Sequence, residues 1–188
     1  MKGQAMRARG FTMIELLVVV AVLGILGAIG LPSFKSAYLT NKLAGYSNDF
    51  VSAAQFARSE AIKRNFPVTL CASSDGATCT SSPTSWQPGW IVRCPTDSTG
   101  TSCVSGGTST LVLLKHEAVS SSFGFTTTTP TTSGYSINFP ANGVGSTEYS
   151  VKLCSTDSSY NIQWREIKII ATGRASVTRY TTAPSSCP

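Results

Sequence analysis

Apolar positions follow three different patterns along the chain. Residues 11–31 read FTMIELLVVVAVLGILGAIGL, an apolar run broken by little. As a helix rising about 1.5 Å per residue, this run spans roughly 31 Å, about one hydrocarbon thickness. Beyond Pro32, apolar or small residues recur at Leu39, Leu43, Tyr46, Phe50, Ala54, Ala57 and Ala61. The intervals are threes and fours, which make one stripe on an α-helix and signal core packing. Lys35, Lys42, Asn48, Asp49, Arg58 and Lys63 fall mostly on other faces. Pro67 restricts the residue before it, so the helix is expected to end near Arg64 or Asn65. A break or bend is expected near Pro32.

After Pro67 the pattern shortens to β-like runs. Strands are expected at residues 68–72, 89–93, 110–116, 136–139, 148–154, 165–171 and 175–180, separated by turn formers such as SSDGAT, PTDSTG and PANGVG. The stretch TTTTPTTS at 126–133 reads as a low-complexity exposed loop able to carry glycans. The expected organisation is a basic leader (1–10), a membrane-spanning half helix (11–32), an amphipathic half helix (33–65) and a β-rich head (66–188).

Charge sharpens the first segment. The formal net charge is +6, but Lys2, Arg7 and Arg9 all precede the apolar run. Without them the chain is only weakly basic, which permits attraction to nucleic acid or anionic lipid without requiring it. Basic residues ahead of the run place residues 1–10 in the cytoplasm and the head outside. Glu15 is the exception within the run. An ionisable group there costs a few kcal/mol and is a functional hypothesis by default, against the simpler reading of a carboxylate snorkelling to the interface. A secretory signal peptide has a shorter apolar core. A plain anchor accounts for the length and leaves Gly10 and Glu15 unexplained. Gly24, Gly27, Gly30 and Pro32 are weak points of the helix.

Six cysteines stand at Cys71, Cys79, Cys94, Cys103, Cys154 and Cys187, with no C-x-x-C and a single histidine, His116. That pattern argues against a metal site and for disulfides, hence for an oxidising compartment on the far side of the membrane. Cysteine count alone leaves the connectivity open. Cys71–Cys79 and Cys94–Cys103 are favoured because they close short polar loops, and Cys154–Cys187 because it ties down the C-terminal tail. There is no G-x-S-x-G, H-E-x-x-H or phosphate-binding loop. His116 reads as a surface or satisfied histidine and the GVG at 143–145 as a turn. No catalytic residue, metal or cofactor is expected.

The run GFTMIELLVVVAVLGILGAIGLPSF, preceded by basic residues, resembles the class III leader and N-terminal helix of type IV prepilins and pseudopilins. That resemblance implies cleavage by a prepilin peptidase between Gly10 and Phe11 and N-methylation of Phe11. It also implies that Glu15 pairs with the amine of a neighbouring subunit's Phe11 during assembly, where a charged partner makes a buried carboxylate tolerable. Further along, ARSEAIKRNFPVTLC at 57–71, PGWIV at 88–92, INFPANGVG at 137–145, VKLC at 151–154 and REIKIIATGRASV at 165–177 resemble the GspH/FimT pseudopilin family. The implied fold is α+β: a long N-terminal helix packed on an antiparallel, disulfide-bonded β-rich head, the type IV pilin fold.

The implied function is a minor type IV pilin, with an H-type minor pseudopilin of type II secretion as alternative; the Cys-rich loops favour the pilus branch. Implied partners are other pilins, the prepilin peptidase and the inner membrane, with the head in the periplasm. Some members of the family bind double-stranded DNA for natural transformation through a C-terminal G-R-x-R pattern. Here Gly173 and Arg174 match, while Ser176 occupies the place of the second arginine. Arg174, Arg179 and Lys168, with Arg165 nearby, are the expected phosphate contacts if DNA is a partner.

Overall fold

The computed structural model describes residues 11–81, 84–94, 103, 111–129, 135–145, 147–157, 164–181 and 187, with only the backbone for 29–33. The expected leader, Gly10 and the threonine-rich residues 130–133 lie outside the described residues. The chain divides into two compact units, Met1–Tyr38 and Leu39–Pro188.

Helix α1 runs Met13–Arg64. Its helical backbone continues through Pro32, so the expected break is absent. Its end is built by local hydrogen bonds. Asn65 takes a left-handed φ of 50°. Its N–H donates to Ile62 O (3.2 Å), and the Phe66 N–H donates to Ala61 O (3.2 Å). These are the paired bonds of a Schellman cap, with asparagine where glycine is usual and proline following. Lys63 and Arg64 in the last turn suit the negative end of the helix dipole.

Eight strands follow: β1 Val68–Ala72, β2 Trp90–Cys94, β3 Leu111–His116, β4 Phe123–Thr129, β5 Ser136–Phe139, β6 Tyr149–Ser155, β7 Trp164–Ile169 and β8 Ala175–Tyr180. They form two sheets, in the orders β3-β2-β1-β5 and β4-β6-β7-β8. Every pairing is antiparallel.

Strand β4 corrects the expectation of a loop at 126–133. Thr126 and Thr127 pair with Lys152 and Val151 of β6, continuing a ladder that starts at Phe123. Phe123 and Phe125 are buried. With this alternating pair ahead of them, the β-branched threonines extend a strand. The free edge of β4 is covered by the segment before β2. Trp86 N–H donates to Phe125 O (2.8 Å), Gln87 Nε2 to Phe123 O (2.7 Å) and Trp86 Nε1 to Thr127 Oγ1 (2.9 Å).

The head's core joins the helix stripe to both sheets. Leu39, Leu43, Phe50, Ala54, Ala57 and Ala61 are buried, with Tyr46 packed against them. Phe50 lies at the centre, meeting Trp86, Trp90 and Phe125 edge to face at centroid distances of 4.8, 5.3 and 5.1 Å. Such geometry suits the ring quadrupoles and adds to the burial of apolar area. Three disulfides join Cys71 to Cys79, Cys94 to Cys103 and Cys154 to Cys187, the first two closing short polar loops and the third holding the C-terminal tail, as expected. The last closes the longest loop and stabilises the head by about 3–4 kcal/mol on a chain-entropy account.

Candidate functional site

Two regions hold the residues singled out by sequence: the start of α1 and the β7–β8 hairpin. At the start of α1, Thr12 Oγ1 accepts the Glu15 N–H (3.3 Å), and Thr12 O accepts the Leu16 N–H (3.2 Å). Thr12 is therefore the N-cap and Glu15 the third helical residue. T-x-x-E is the capping-box sequence. A carboxylate in the first turn also suits the positive end of the helix dipole. Glu15 thus has a local role that the apolar-run reading missed, although the signal was present at Thr12.

The surrounding surface is apolar. Phe11 is 82% exposed, Met13 87% and Leu17 64%, and the large apolar side chains through Leu26 are all exposed. A helix apolar around its whole circumference requires an apolar environment. Among the described residues, no helix is long and apolar enough to cross a membrane. The expected span 11–32 draws in side chains 29–32, which lie outside that set.

The β7–β8 hairpin holds the cations. Its turn is closed by bonds from Gly173 N–H to Ile170 O (2.8 Å) and from Ile170 N–H to Arg174 O (3.1 Å). Gly173 has a φ of 76°, and a Cβ there would lie 2.6 Å from Gly143 O and 2.9 Å from the Arg58 side chain. Arg58 Nε in turn donates to Gly143 O (3.0 Å). The segments PANGVG and ATGRAS therefore meet on one helical arginine, and packing alone requires the glycine of the G-R pair.

The expected phosphate contacts do not share one face. Arg174 is exposed in the turn. Arg179 lies five residues further along, about 16 Å away in an extended strand. It stands directly opposite Arg165, on the face shared by Ile167 and Val177. Lys168 alternates to the other face, where its Nζ pairs with Glu148 Oε1 (2.7 Å). That bond raises the Lys168 pKa. On the same outer face, Glu166 accepts hydrogen bonds from Ser150 Oγ and from Tyr180 OH (2.8 Å). They hold its carboxyl below the ordinary range. Trp164 stacks on Tyr180 at 4.0 Å, with Lys152 Nζ 5.3 Å from the indole centroid.

His116 and Asp75 are each held by local contacts. His116 stacks on Trp90 at 3.7 Å, with Nδ1 2.7 Å from Glu117 O and Nε2 3.4 Å from Asp49 Oδ2. Asp75 accepts bonds from the Ala77 and Thr78 N–H groups and from the Ser73 and Thr78 hydroxyls, which push its pKa far below the carboxylate range. Among the described residues no acidic, histidine or cysteine cluster is arranged to hold a metal.

Comparison with known proteins gives two family matches and two structural ones. The family described as type II transport protein GspH matches residues 47–166, and the prokaryotic N-terminal methylation motif matches residues 5–31. A crystal structure of the type IV minor pilin FimU of Pseudomonas aeruginosa is similar with a TM-score of 0.52 and 20% identity, covering 77% of this chain and 99% of that one. A second crystal form of FimU gives a TM-score of 0.54 and 21% identity, covering 79% and 96%. No curated protein matches the chain in sequence.

Proposed function

The chain belongs to the family of type II transport protein GspH, and from that premise we propose that it is a minor type IV pilin, a structural subunit of a thin filament. The observation that carries this reading is the order of the two matches. A methylation motif at 5–31 begins the chain, and a family head at 47–166 follows on the type IV pilin fold. Family and motif together make it a membrane-anchored pilus or pseudopilus component.

The finer reading is as follows. Prepilin peptidase cuts between Gly10 and Phe11, and Phe11 becomes the methylated N-terminus. The apolar helix holds the subunit in the inner membrane as a single pass, with the disulfide-bonded head in the periplasm, until it joins other pilins. Glu15 then meets the amine of a neighbouring Phe11. Its place in the first turn of the helix, three residues after the Thr12 cap that accepts its backbone N–H, supports this. Support comes from the exposure of every large apolar side chain between Phe11 and Leu26, which a filament core or a bilayer would cover.

The test is a gene deletion complemented with the wild-type chain or with Glu15→Val. Loss of surface pili with exoprotein secretion intact, restored by wild type only, is the expected result. Intact pili with blocked secretion would replace this reading with the H-type pseudopilin. The DNA-receptor reading has less support, because Lys168, Arg174 and Arg179 lie on different surfaces. A salt-sensitive gel shift lost in Arg174→Ala would revive it.

A further inference from the structure

A like-charged pair stands on the core side of the second sheet. Arg165 of β7 is directly opposite Arg179 of β8, and strand alternation turns both toward the face of Ile167 and Val177. Residues so opposed bring their Cβ atoms to about 4.5–5.5 Å, where like charges destabilise the sheet. Arg165 is only 7% exposed, and its Nε has no hydrogen-bond partner among the described residues. Burial, and then the charge of Arg179, lower its pKa.

Among the described residues neither arginine takes part in an ion pair. The nearest acid in sequence, Glu166, points to the opposite face and is engaged there by Ser150 and Tyr180. Glu148 is engaged there by Lys168. A buried charge left without a partner is strongly unfavourable. Arg179 is exposed, so one member of the pair faces solvent.

We propose that Arg165 and Arg179 form an anion site that receives a side-chain carboxylate from a neighbouring filament subunit. Guanidinium groups bind planar carboxylates through paired hydrogen bonds, and the unsatisfied Nε of Arg165 supplies one such donor. Depth favours a carboxylate over a nucleic acid. A carboxylate on a slender side chain can enter beside Arg179 and reach a guanidinium that is almost wholly covered. A duplex presents phosphates on a broad rod and binds cations spread over one exposed surface. Here the other cations of the hairpin lie in the turn and on the outer face. The identity of the partner rests on the filament reading; the anion site itself does not.

The test uses the oxidised full chain in detergent micelles. Sodium acetate serves as the carboxylate probe, against sodium chloride at equal ionic strength, with a short random DNA duplex as a separate arm. The readouts are the thermal midpoint and the Nε–Hε NMR signal of Arg165. Acetate is expected to move that signal and raise the midpoint relative to chloride. Arg179→Gln should weaken acetate binding about tenfold, the loss expected for a charge-assisted hydrogen bond. Arg165→Met removes the repulsion, so it should be more stable than wild type in chloride and indifferent to acetate. If that variant fails to fold, Arg179→Gln still decides. Acetate and chloride acting alike on the wild-type chain, with no shift from duplex, would overturn the site. A shift with duplex and none with acetate would overturn the carboxylate assignment in favour of phosphate. Pili are scored separately in a strain carrying Arg179→Glu. Normal piliation beside positive acetate binding would overturn the neighbouring subunit as the source of the carboxylate.

Discussion

Leu17 and Phe50 lie on the same helix, yet Leu17 is 64% exposed and Phe50 is fully buried. Around Phe50 the apolar residues return every three or four positions, and Lys42, Asn48, Asp49 and Lys63 occupy the rest of the circumference. Around Leu17 Glu15 is the only charged residue, and nothing divides one face from another. The first pattern describes a helix whose apolar partner is its own chain. The second describes a helix that must be covered from outside, by lipid or by other helices. Helix propensity does not distinguish the two stretches; where their apolar area is removed from water does.

The sharpest way to break this comparison is to truncate one side chain in each stretch. Phe50→Ala should cost the head about 3–5 kcal/mol, because the ring fills a pocket between both sheets. Leu17→Ala should leave the head within about 0.5 kcal/mol of wild type, since the head's core is built from Leu39 onward. Urea denaturation followed by tryptophan fluorescence measures both, and equal losses would refute the division.

A smaller effect comes from the acid in the last turns of the helix. Glu60 is 8% exposed and its Oε2 accepts a bond from Arg64 Nε at 2.7 Å. That bond, with a further contribution from Lys63, lowers its pKa. A carboxyl whose pKa is lower in the folded chain adds stability above the ordinary glutamate value of about 4.3. The contribution is lost as pH falls through the lowered folded value. Glu60→Gln should therefore cost about 1–2 kcal/mol at neutral pH and flatten the acid limb of the stability profile. Part of that limb should remain, because Glu166 is lowered as well. An acid limb unchanged in the variant would mean that the pair with Arg64 adds nothing.

The smallest expected effect is at the cap. Thr12→Ala removes the acceptor for the Glu15 N–H and should cost the first turn about 1 kcal/mol or less. Amide exchange at residues 13–16 in micelles would report it, while the head's denaturation midpoint stays where it was. A shift in the head's midpoint would show that the first turn is coupled to the head.

Much of this was readable before any coordinates. The stripe from Leu39 to Ala61, the helix end before Pro67 and most of the strands follow from spacing and turn residues. The hidden strand was β4. Its four threonines look like a low-complexity loop, and the cue that outweighs them, Phe123 and Phe125 two residues apart, is short. At the candidate sites the limits were different. The T-x-x-E spacing of Thr12 and Glu15 carries the cap, but it sits inside an apolar run where the carboxylate is the more conspicuous signal. The cations of the last hairpin are close in sequence but not on one surface. Strand alternation places Lys168 on one face and Arg179 on the other, and only pairing reveals that Arg165 stands opposite Arg179.

The sequence alone determined the local elements: the apolar run, the striped helix, its asparagine–proline stop and the loops closed by Cys71–Cys79 and Cys94–Cys103. Periods of 3.6 and 2, turn chemistry and short loop closure act within a few residues, so they leave their marks in order along the chain. The tertiary structure decided the division of strands between two sheets, the meeting of Gly143 and Gly173 on Arg58, and the opposition of Arg165 and Arg179. Each depends on register between segments that meet only once the strands have paired. Register is set by the summed burial of whole faces, and a slip of one residue would exchange every inward side chain for an outward one.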